Sequence, residues 1–397
     1  MKRTIKLAVV AALALGATSA FATNGSTMIG MGAKTRGMGG VGIGVGHGAE
    51  SALSNPALIT TIKSNNEISF GGTLFMPDVK YSNAMGGSVA ESDADFFVIP
   101  SVSVASKIND NFYAGIGMWG TGGLGVDYRD NNEYMNMVTA LQNMQFGVPL
   151  VYTANKFSIG ITPIIQYTSL DIQYTHPISG DSIGSGVADD VSIGYNVGAA
   201  YEMNNLTMGA VYKSEIQSDI KDVLNNAVNG MFGMDVYDNS KISAPAEMGV
   251  GISYKMGGST LALDYKMILW EDAETYKDFG WEDQDVIAIG YEYAADKWAI
   301  RCGYQFAEGA VQDNNGKNLA LDTMMPGLTN MFNALGFPGT QESHITLGGS
   351  YAFNDMISLD LAAVYGLENK EQTVGAFGPQ EVKHSETSFS FQLNYAF

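Results

Sequence analysis

The 397-residue chain carries 41 Asp and Glu against 21 Lys and Arg, a formal charge of −20 at pH 7, which excludes nucleic acid as a partner. It is 46% hydrophobic with a mean hydropathy of +0.01, far too low for a helical membrane protein but normal for a chain that hides apolar residues by alternation. A single cysteine, Cys302, excludes an intramolecular disulfide framework.

Lys2, Arg3 and Lys6 precede a short apolar run over residues 7–16, and Ala20-Phe21-Ala22 supplies an A-x-A cleavage signature. Residues 1–22 therefore read as an export signal peptide, with a mature chain starting near Thr23. The run is too short to cross a bilayer, and no other approaches the roughly 20 apolar residues a membrane helix needs. Residues 23–64 lack strand alternation and are rich in glycine, from Gly30 to Gly48, before ending in Ser54-Asn55-Pro56-Ala57. Gly40-Val41-Gly42-Ile43-Gly44 imitates a phosphate-binding loop. No strand precedes it, no long helix follows, and no Gly-Lys-Ser/Thr is present, so no nucleotide site is expected. A compact segment of small residues tied to a following barrel reads instead as a plug, or hatch, inside the lumen, with residues 65–397 forming the barrel.

From residue 66 onward, period-two runs dominate. About 14 strands are predicted: 66–81, 94–107, 111–119, 143–154, 156–175, 190–203, 205–217, 242–255, 259–272, 283–295, 297–308, 342–353, 356–368 and 384–397. Typical apolar faces are Leu261, Leu263, Tyr265, Met267 and Trp298, Ile300, Cys302, Tyr304, Phe306, with small or polar residues between. Cys302 thus reads as a small hydrophobe on such a face. Short Asn/Asp/Gly turns such as Ala154-Asn155-Lys156 and Met256-Gly257-Gly258 alternate without exception with long connectors, and Tyr, Trp and Phe gather at run ends. This is an all-β, transmembrane, up-and-down antiparallel barrel of the Gram-negative outer membrane, and an even strand count puts both termini in the periplasm. A soluble sandwich would rarely exceed roughly 250 residues. Three connectors carry apolar residues at spacings of three and four, over 134–144, 220–232 and 324–337, and are expected to be partly helical and to pack over the extracellular mouth. Phe389, Phe391, Leu393, Tyr395 and Phe397 close the chain with a lipid-facing strand, and Phe397 is the expected handle for the barrel-assembly machinery. The acidity fits solvated loops, or divalent cations bridging them to lipopolysaccharide.

Gly30-Met31-Gly32-Ala33, Arg36-Gly37-Met38-Gly39-Gly40 and Ala49-Glu50-Ser51-Ala52-Leu53-Ser54-Asn55-Pro56-Ala57 resemble the amino-terminal hatch and the Asn-Pro-Ala signature of the FadL/TodX family of outer-membrane transporters. Val98-Ile99-Pro100-Ser101, Ser243-Ala244-Pro245-Ala246-Glu247, Asp264-Tyr265 through Trp270, and Trp298 through Tyr304 are similar too, in the family's order. The resemblance implies a 14-stranded barrel with a hatch on the periplasmic side. It also implies capture of a long-chain fatty acid or an aromatic or aliphatic hydrocarbon in an extracellular groove, passage to an inner pocket, and lateral exit beside a kinked third strand. No ATP or ion motif is present, so passive diffusion is expected.

On that reading the groove draws on Met135, Met137, Val138, Leu141, Met144, Val223, Val228, Met231 and Phe232. Gating falls to Met28, Ile29, Met31, Met38, Asn55, Pro56 and Ala57, and Gly115, Gly117, Gly120, Gly122 and Gly123 permit the strand-3 kink. Lys266 and Arg301 face the lumen and could meet a carboxylate, or pair with a luminal acid such as Asp264 or Glu292. The four histidines are scattered with no metal-ligand spacing, so neither a metal, a cofactor nor enzymatic chemistry is expected. A monomer is anticipated. The alternative is a general or solute-specific porin for hydrophilic solutes, which would lack the plug and carry a polar constriction.

Overall fold

The computed structural model describes residues 24–84, 86, 88–317 and 319–397, so the signal reading of residues 1–22 lies outside the described residues. Fourteen antiparallel strands form the wall. They are β1 Asn66–Asn83, β2 Phe97–Lys107, β3 Phe112–Asp127, β4 in two pieces (Val138–Gly147 and Leu150–Ala154), β5 Phe157–Thr175, β6 Ala188–Met203 and β7 Leu206–Lys213. Then follow β8 Ala246–Met256, β9 Ser259–Leu269, β10 Gln284–Ala294, β11 Trp298–Ala307, β12 Ser343–Ala352, β13 Ile357–Gly375 and β14 Gly378–Ala396. Each pairs with its chain neighbours, and β1 pairs with β14 from Glu67↔Ala396 to Asn83↔Gln380, which closes the barrel. Closure removes both edges, the one arrangement in which strands can sit in hydrocarbon without orphaned backbone groups.

The alternation read from the sequence is the alternation of the wall. On β14, Phe389, Phe391, Leu393 and Tyr395 face out and are exposed, while Ser388, Ser390, Gln392 and Asn394 between them are buried. Leu347 on β12 is 62% exposed and its neighbours Thr346 and His344 are buried. The molecule is thus apolar outside and polar inside, the reverse of a soluble protein. Aromatic pairs such as Tyr293–Trp298, Tyr351–Phe353 and Tyr395–Phe397 sit beside the short turns and mark the periplasmic rim. Those turns carry Asn155, Asn204 and Gly257 in the left-handed region, which is why Asn and Gly stand there.

The connectors depart from expectation in two places. Residues 134–144 are not helical: only a 3-10 turn, Asn132–Tyr134, precedes β4, which starts at Val138. Strand β3 runs on to Asp127 and offers an edge that residues 138–147 pair along, so ladder hydrogen bonding outweighs the three-and-four spacing. Residues 369–383 are not an irregular loop either, since β13 and β14 continue as a paired hairpin to Gly375↔Gly378. The other two connectors do contain helices: α3 Leu224–Phe232 in one, α4 Ala320–Met324 and α5 Leu328–Gly336 in the other.

A charged residue in the lipid-facing band should be costly. Leu347→Arg is expected to destabilise the folded barrel by about 2–4 kcal/mol, read by equilibrium urea unfolding in liposomes. On the projecting β13–β14 hairpin, burial, then repulsion from Glu342 and Asp313, pushes the Glu371 carboxyl up to about 7 from 4.5. Between those values the folded hairpin keeps a proton that the unfolded chain has lost, so its stability falls as pH rises through that window. Glu371→Gln should therefore make the hairpin more resistant to limited proteolysis than wild type at alkaline pH, with no difference at pH values below the window.

Candidate functional site: the hatch and the luminal wall

Residues 24–64 fold against the inward side chains of the wall. The segment holds two short helices, α1 Ala33–Gly37 and α2 Ser51–Ser54, and 3-10 turns at Gly48–Glu50 and Pro56–Thr61. Its partners lie all round the circle. Ser101 of β2 donates to Met31 O at 2.7 Å, Thr162 of β5 to Ala52 O at 3.1 Å, and Ser253 of β8 to Gly44 O at 2.7 Å. Gly39 N donates to Thr346 of β12 at 2.8 Å, Arg36 to Ser388 of β14 at 2.6 Å, and Gln392 to Glu50 at 2.9 Å. A polar lumen is expensive unless its groups are satisfied, and these hatch contacts satisfy a share of them.

Glycine lets the two backbones touch. A Cβ on Gly44 would lie 2.3 Å from the Gly251 carbonyl carbon, and one on Gly303 would lie 2.3 Å from Gly39 N. The Gly40–Gly44 run does bind an anion, but one belonging to the wall. Asp264 accepts from Gly42 N and Ile43 N at 2.7 Å each and from Gly44 N at 3.2 Å. Asn55 is the other tie: its Oδ1 accepts from Ala57 N at 3.1 Å, and its Nδ2 donates to Ile43 O at 2.8 Å and to Ala199 O of β6 at 3.2 Å. Pro56 follows as the first residue of the 3-10 turn, where its missing N–H costs nothing. Met28 packs with Phe75, Phe97 and Ile99, Met31 lies against the same group, Met38 packs with Val41, and Ile29 is buried.

The wall is unzipped between β2 and β3. They pair only from Ser101↔Trp119 to Lys107↔Tyr113; above that, Phe97–Pro100 pairs with β1 alone and 120–127 with β4 alone. The β3–β4 register shifts between Gly120 and Gly122. Hatch residues take up the vacated edge from inside: Met28 N donates to Thr121 O at 3.2 Å and Gly123 N to Ser26 O at 2.9 Å. A Cβ on Gly122 would stand 2.5 Å from Ser26 O, so that approach requires glycine. Gly120, Gly122 and Gly123 thus sit at the break, whereas Gly115 and Gly117 lie in the paired part. On the lipid side of this wall, Val102, Val104, Ile116, Met118, Phe146 and Ile165 line an apolar depression of about 650 Å³.

Over the extracellular mouth the connectors form one apolar cap. Met135, Met137, Leu141, Val223, Val228 and Met231 are buried in it and Phe232 packs on it. Val138 and Met144 do not join them, because the pleat of β4 turns both to the face opposite Leu141. In this closed arrangement the seven side chains bury one another rather than lining an open groove. The cap also contains a cage missed by the sequence reading: Trp270, Tyr276 and Trp281, with ring centres 4.6–4.9 Å apart, hold Gly25, and Tyr276 OH meets Ser26 Oγ at 3.2 Å. Three aromatics within an otherwise acidic connector were the available signal. Burial raises the Tyr276 phenol, so it stays a neutral hydrogen-bonding group.

The two candidate cations are paired. Arg301 meets Glu292 at 2.7 Å and Asp360 at 3.8 Å, and Asp360 also faces Lys34 of the hatch at 3.7 Å. Lys266 pairs not with Asp264 but with Glu247 at 3.0 Å, which Lys213 shares at 3.0 Å. His344 and His384, far apart in sequence, converge on Glu386 at 2.8 and 4.0 Å, a grouping that scattered histidines gave no hint of.

A closed 14-stranded barrel, apolar outside and filled within by its own amino-terminal segment, is an outer-membrane β-barrel of the plugged kind, not an open porin. The chain belongs to the family described as Outer membrane protein transport protein (OMPP1/FadL/TodX), whose match covers residues 7–321, and it resides in the Gram-negative outer membrane. It is 24% identical over 429 residues to the long-chain fatty acid transport protein of Escherichia coli O6:H1, covering 90% of this chain and 92% of that one. It is 22% identical over 420 residues to the 47 kDa outer membrane protein of Pasteurella multocida, at 90% and 92% coverage. Among solved structures, a Pseudomonas aeruginosa FadL homologue matches with a TM-score of 0.71 at 17% identity, over 94% of this chain and all of that one. The Pseudomonas putida toluene transporter TodX matches with a TM-score of 0.67 at 19% identity, over 93% and 99%. These last two likenesses are of fold.

Asn55→Ala removes three hydrogen bonds and leaves Ala57 N and two carbonyls without their partner. At about 1–3 kcal/mol for each buried group left unsatisfied, the hatch should loosen within an intact barrel. Planar-bilayer recordings should then show open events in the variant that are rare in wild type.

Proposed function

We propose that this chain carries hydrophobic small molecules, long-chain fatty acids or aromatic and aliphatic hydrocarbons, passively across the outer membrane. The observation that carries the reading is the combination of a polar lumen corked by residues 24–64 with a wall unzipped beside the cork at β2–β3. A corked barrel leaks no hydrophilic solute. A seam between two strands lets a hydrophobe leave sideways into hydrocarbon, its preferred solvent, without crossing the periplasmic mouth.

In this reading the apolar cap takes the ligand first, its methionines rearranging at low cost because their side chains are flexible and polarisable. The ligand then descends to the hatch, where Met28, Ile29, Met31 and Met38 offer apolar contact. Movement of the hatch, held by hydrogen bonds through Asn55 and the Gly42–Gly44 amides, withdraws residues 26–28 from the β3 edge and opens the seam. Residues 1–22 direct export and 23–64 act as the gate, while the protein catalyses no reaction and works as a monomer. The names of the curated and structural relatives support hydrophobic cargo.

Proteoliposomes test this. Saturable uptake of radiolabelled palmitate or toluene is expected, with no swelling in sugar solutions. Tying the seam with a disulfide between cysteines replacing Ile99 and Gly120 should abolish hydrophobe uptake and restore it on reduction. Swelling in sugars without hydrophobe uptake would mark a porin instead.

A further inference from the structure

Between the hatch and the wall lies a cavity of about 70 Å³ whose lining mixes apolar and charged groups. Met28, Met31 and Leu53 contribute from the hatch, Val211, Met248 and Val286 from the wall. The same cavity is lined by Lys213, Glu247, Asp264 and Lys266, two cations and two anions. Burying four charges in a lumen is costly unless each is closely partnered, and here each is. Glu247 sits between the two ammonium groups at 3.0 Å from each, and Asp264 sits on the amides of Gly42, Ile43 and Gly44. Both devices, an ammonium pair and a nest of convergent N–H groups, would hold a carboxylate from any source equally well. Asn196 Oδ1 and Gln305 Oε1, each at 1% residue exposure and each on a residue lining the cavity, have no protein partner and suit water accompanying a charged head group.

We propose that this is a carboxylate site which the protein fills with its own Asp264 at rest, and that an amphiphile bearing a carboxylate is taken up by exchange, its head group displacing Asp264 from the Gly42–Gly44 amides and so releasing the hatch from the wall. The proposal rests on the transport reading above and deepens it by naming the head-group chemistry the gate senses. The Gly42, Ile43 and Gly44 amides converge on one carboxylate, so an incoming head group reaches them only as Asp264 gives way. Asp264 is placed to do so. Its partners belong to the hatch, a separate segment, whereas Glu247 is clamped by two lysines of the wall itself. In the exchange the three amides keep an acceptor throughout, so no buried donor is stranded. Asp264, freed from the amides, lies two residues from Lys266 on the same face of β9, and no covalent bond changes. An alcohol or alkane of equal length brings no anion and leaves Asp264 in place. Asp264 is thus a positioning residue whose charge couples ligand class to hatch release.

Equilibrium binding of radiolabelled dodecanoate and dodecanol to the full chain in lipid nanodiscs, at alkaline pH, tests the exchange. Asp264→Asn removes the charge of the internal competitor, leaving only a weaker neutral acceptor on the amides, and should tighten dodecanoate binding about tenfold while changing dodecanol binding less than about twofold. Lys266→Met should weaken dodecanoate by a similar factor and spare dodecanol. A misfolded barrel would lose both probes, so a selective gain in the Asp264 variant cannot arise from damage. Unchanged or weaker dodecanoate binding in Asp264→Asn, or equal shifts for both probes, overturns the exchange while leaving the transport reading intact. Failure of the wild-type protein to bind either probe overturns both.

Discussion

The constraint on which the structure depends is that hydrocarbon accepts no hydrogen bond. Every backbone N–H and C=O within the membrane must be satisfied by the protein, and closure of β1 on β14 does this for the wall. Closure then creates the second problem, a lumen lined by Ser, Thr, Asn, Gln, Asp and Glu side chains that face one another across a bounded space. The hatch answers it. Its amides and carbonyls pair with inward groups of strands from β2 round to β14, so one Gly-rich segment serves as both seal and hydrogen-bond partner. The same logic explains the break between β2 and β3: where they part, the backbone of residues 26–28 supplies what the missing ladder would have.

A seal made of separate polar contacts differs from one made of apolar packing. Each tie, Asn55 to Ala199 and Asp264 to the Gly42–Gly44 amides among them, is a directional hydrogen bond. The cap is the opposite case, since Met137, Leu141, Val223 and Val228 are held by non-directional burial that tolerates rearrangement. The molecule therefore stacks an apolar layer on a polar, hydrogen-bonded one, with an aromatic cage of Trp270, Tyr276 and Trp281 joining them at Gly25 and Ser26. That contact ties the cap directly to the start of the hatch segment.

The charge distribution follows the same division. Acidic residues crowd the connectors on the extracellular side, where water and counterions screen them, as at Glu271, Asp272 and Asp283. Inside the barrel, several charges are joined in chains of ion pairs. Lys34, Asp360, Arg301 and Glu292 form one chain of pairs and Lys213, Glu247 and Lys266 another. The strong net negative charge is thus a property of the rim.

What was legible from the residues alone follows how far each signal extends along the chain. Two-residue periodicity is a property of the pleat, so Leu261, Leu263 and Tyr265 announced a lipid-facing strand without reference to anything else, and Asn155, Asn204 and Gly257 announced their turns. Small residues before β1 suit close backbone approach, and Gly39 and Gly44 use it where they meet Gly303 and Gly251 of the wall. The periodicity of 134–144 misled because its destiny was set by the free edge of β3, a partner no local window contains. The register of closure decided which luminal side chain meets which hatch atom. That is why the Gly40–Gly44 run read only as an imitation of a phosphate-binding loop, and the anion its amides do hold, an aspartate 220 residues away, emerged only when the cylinder was closed around it.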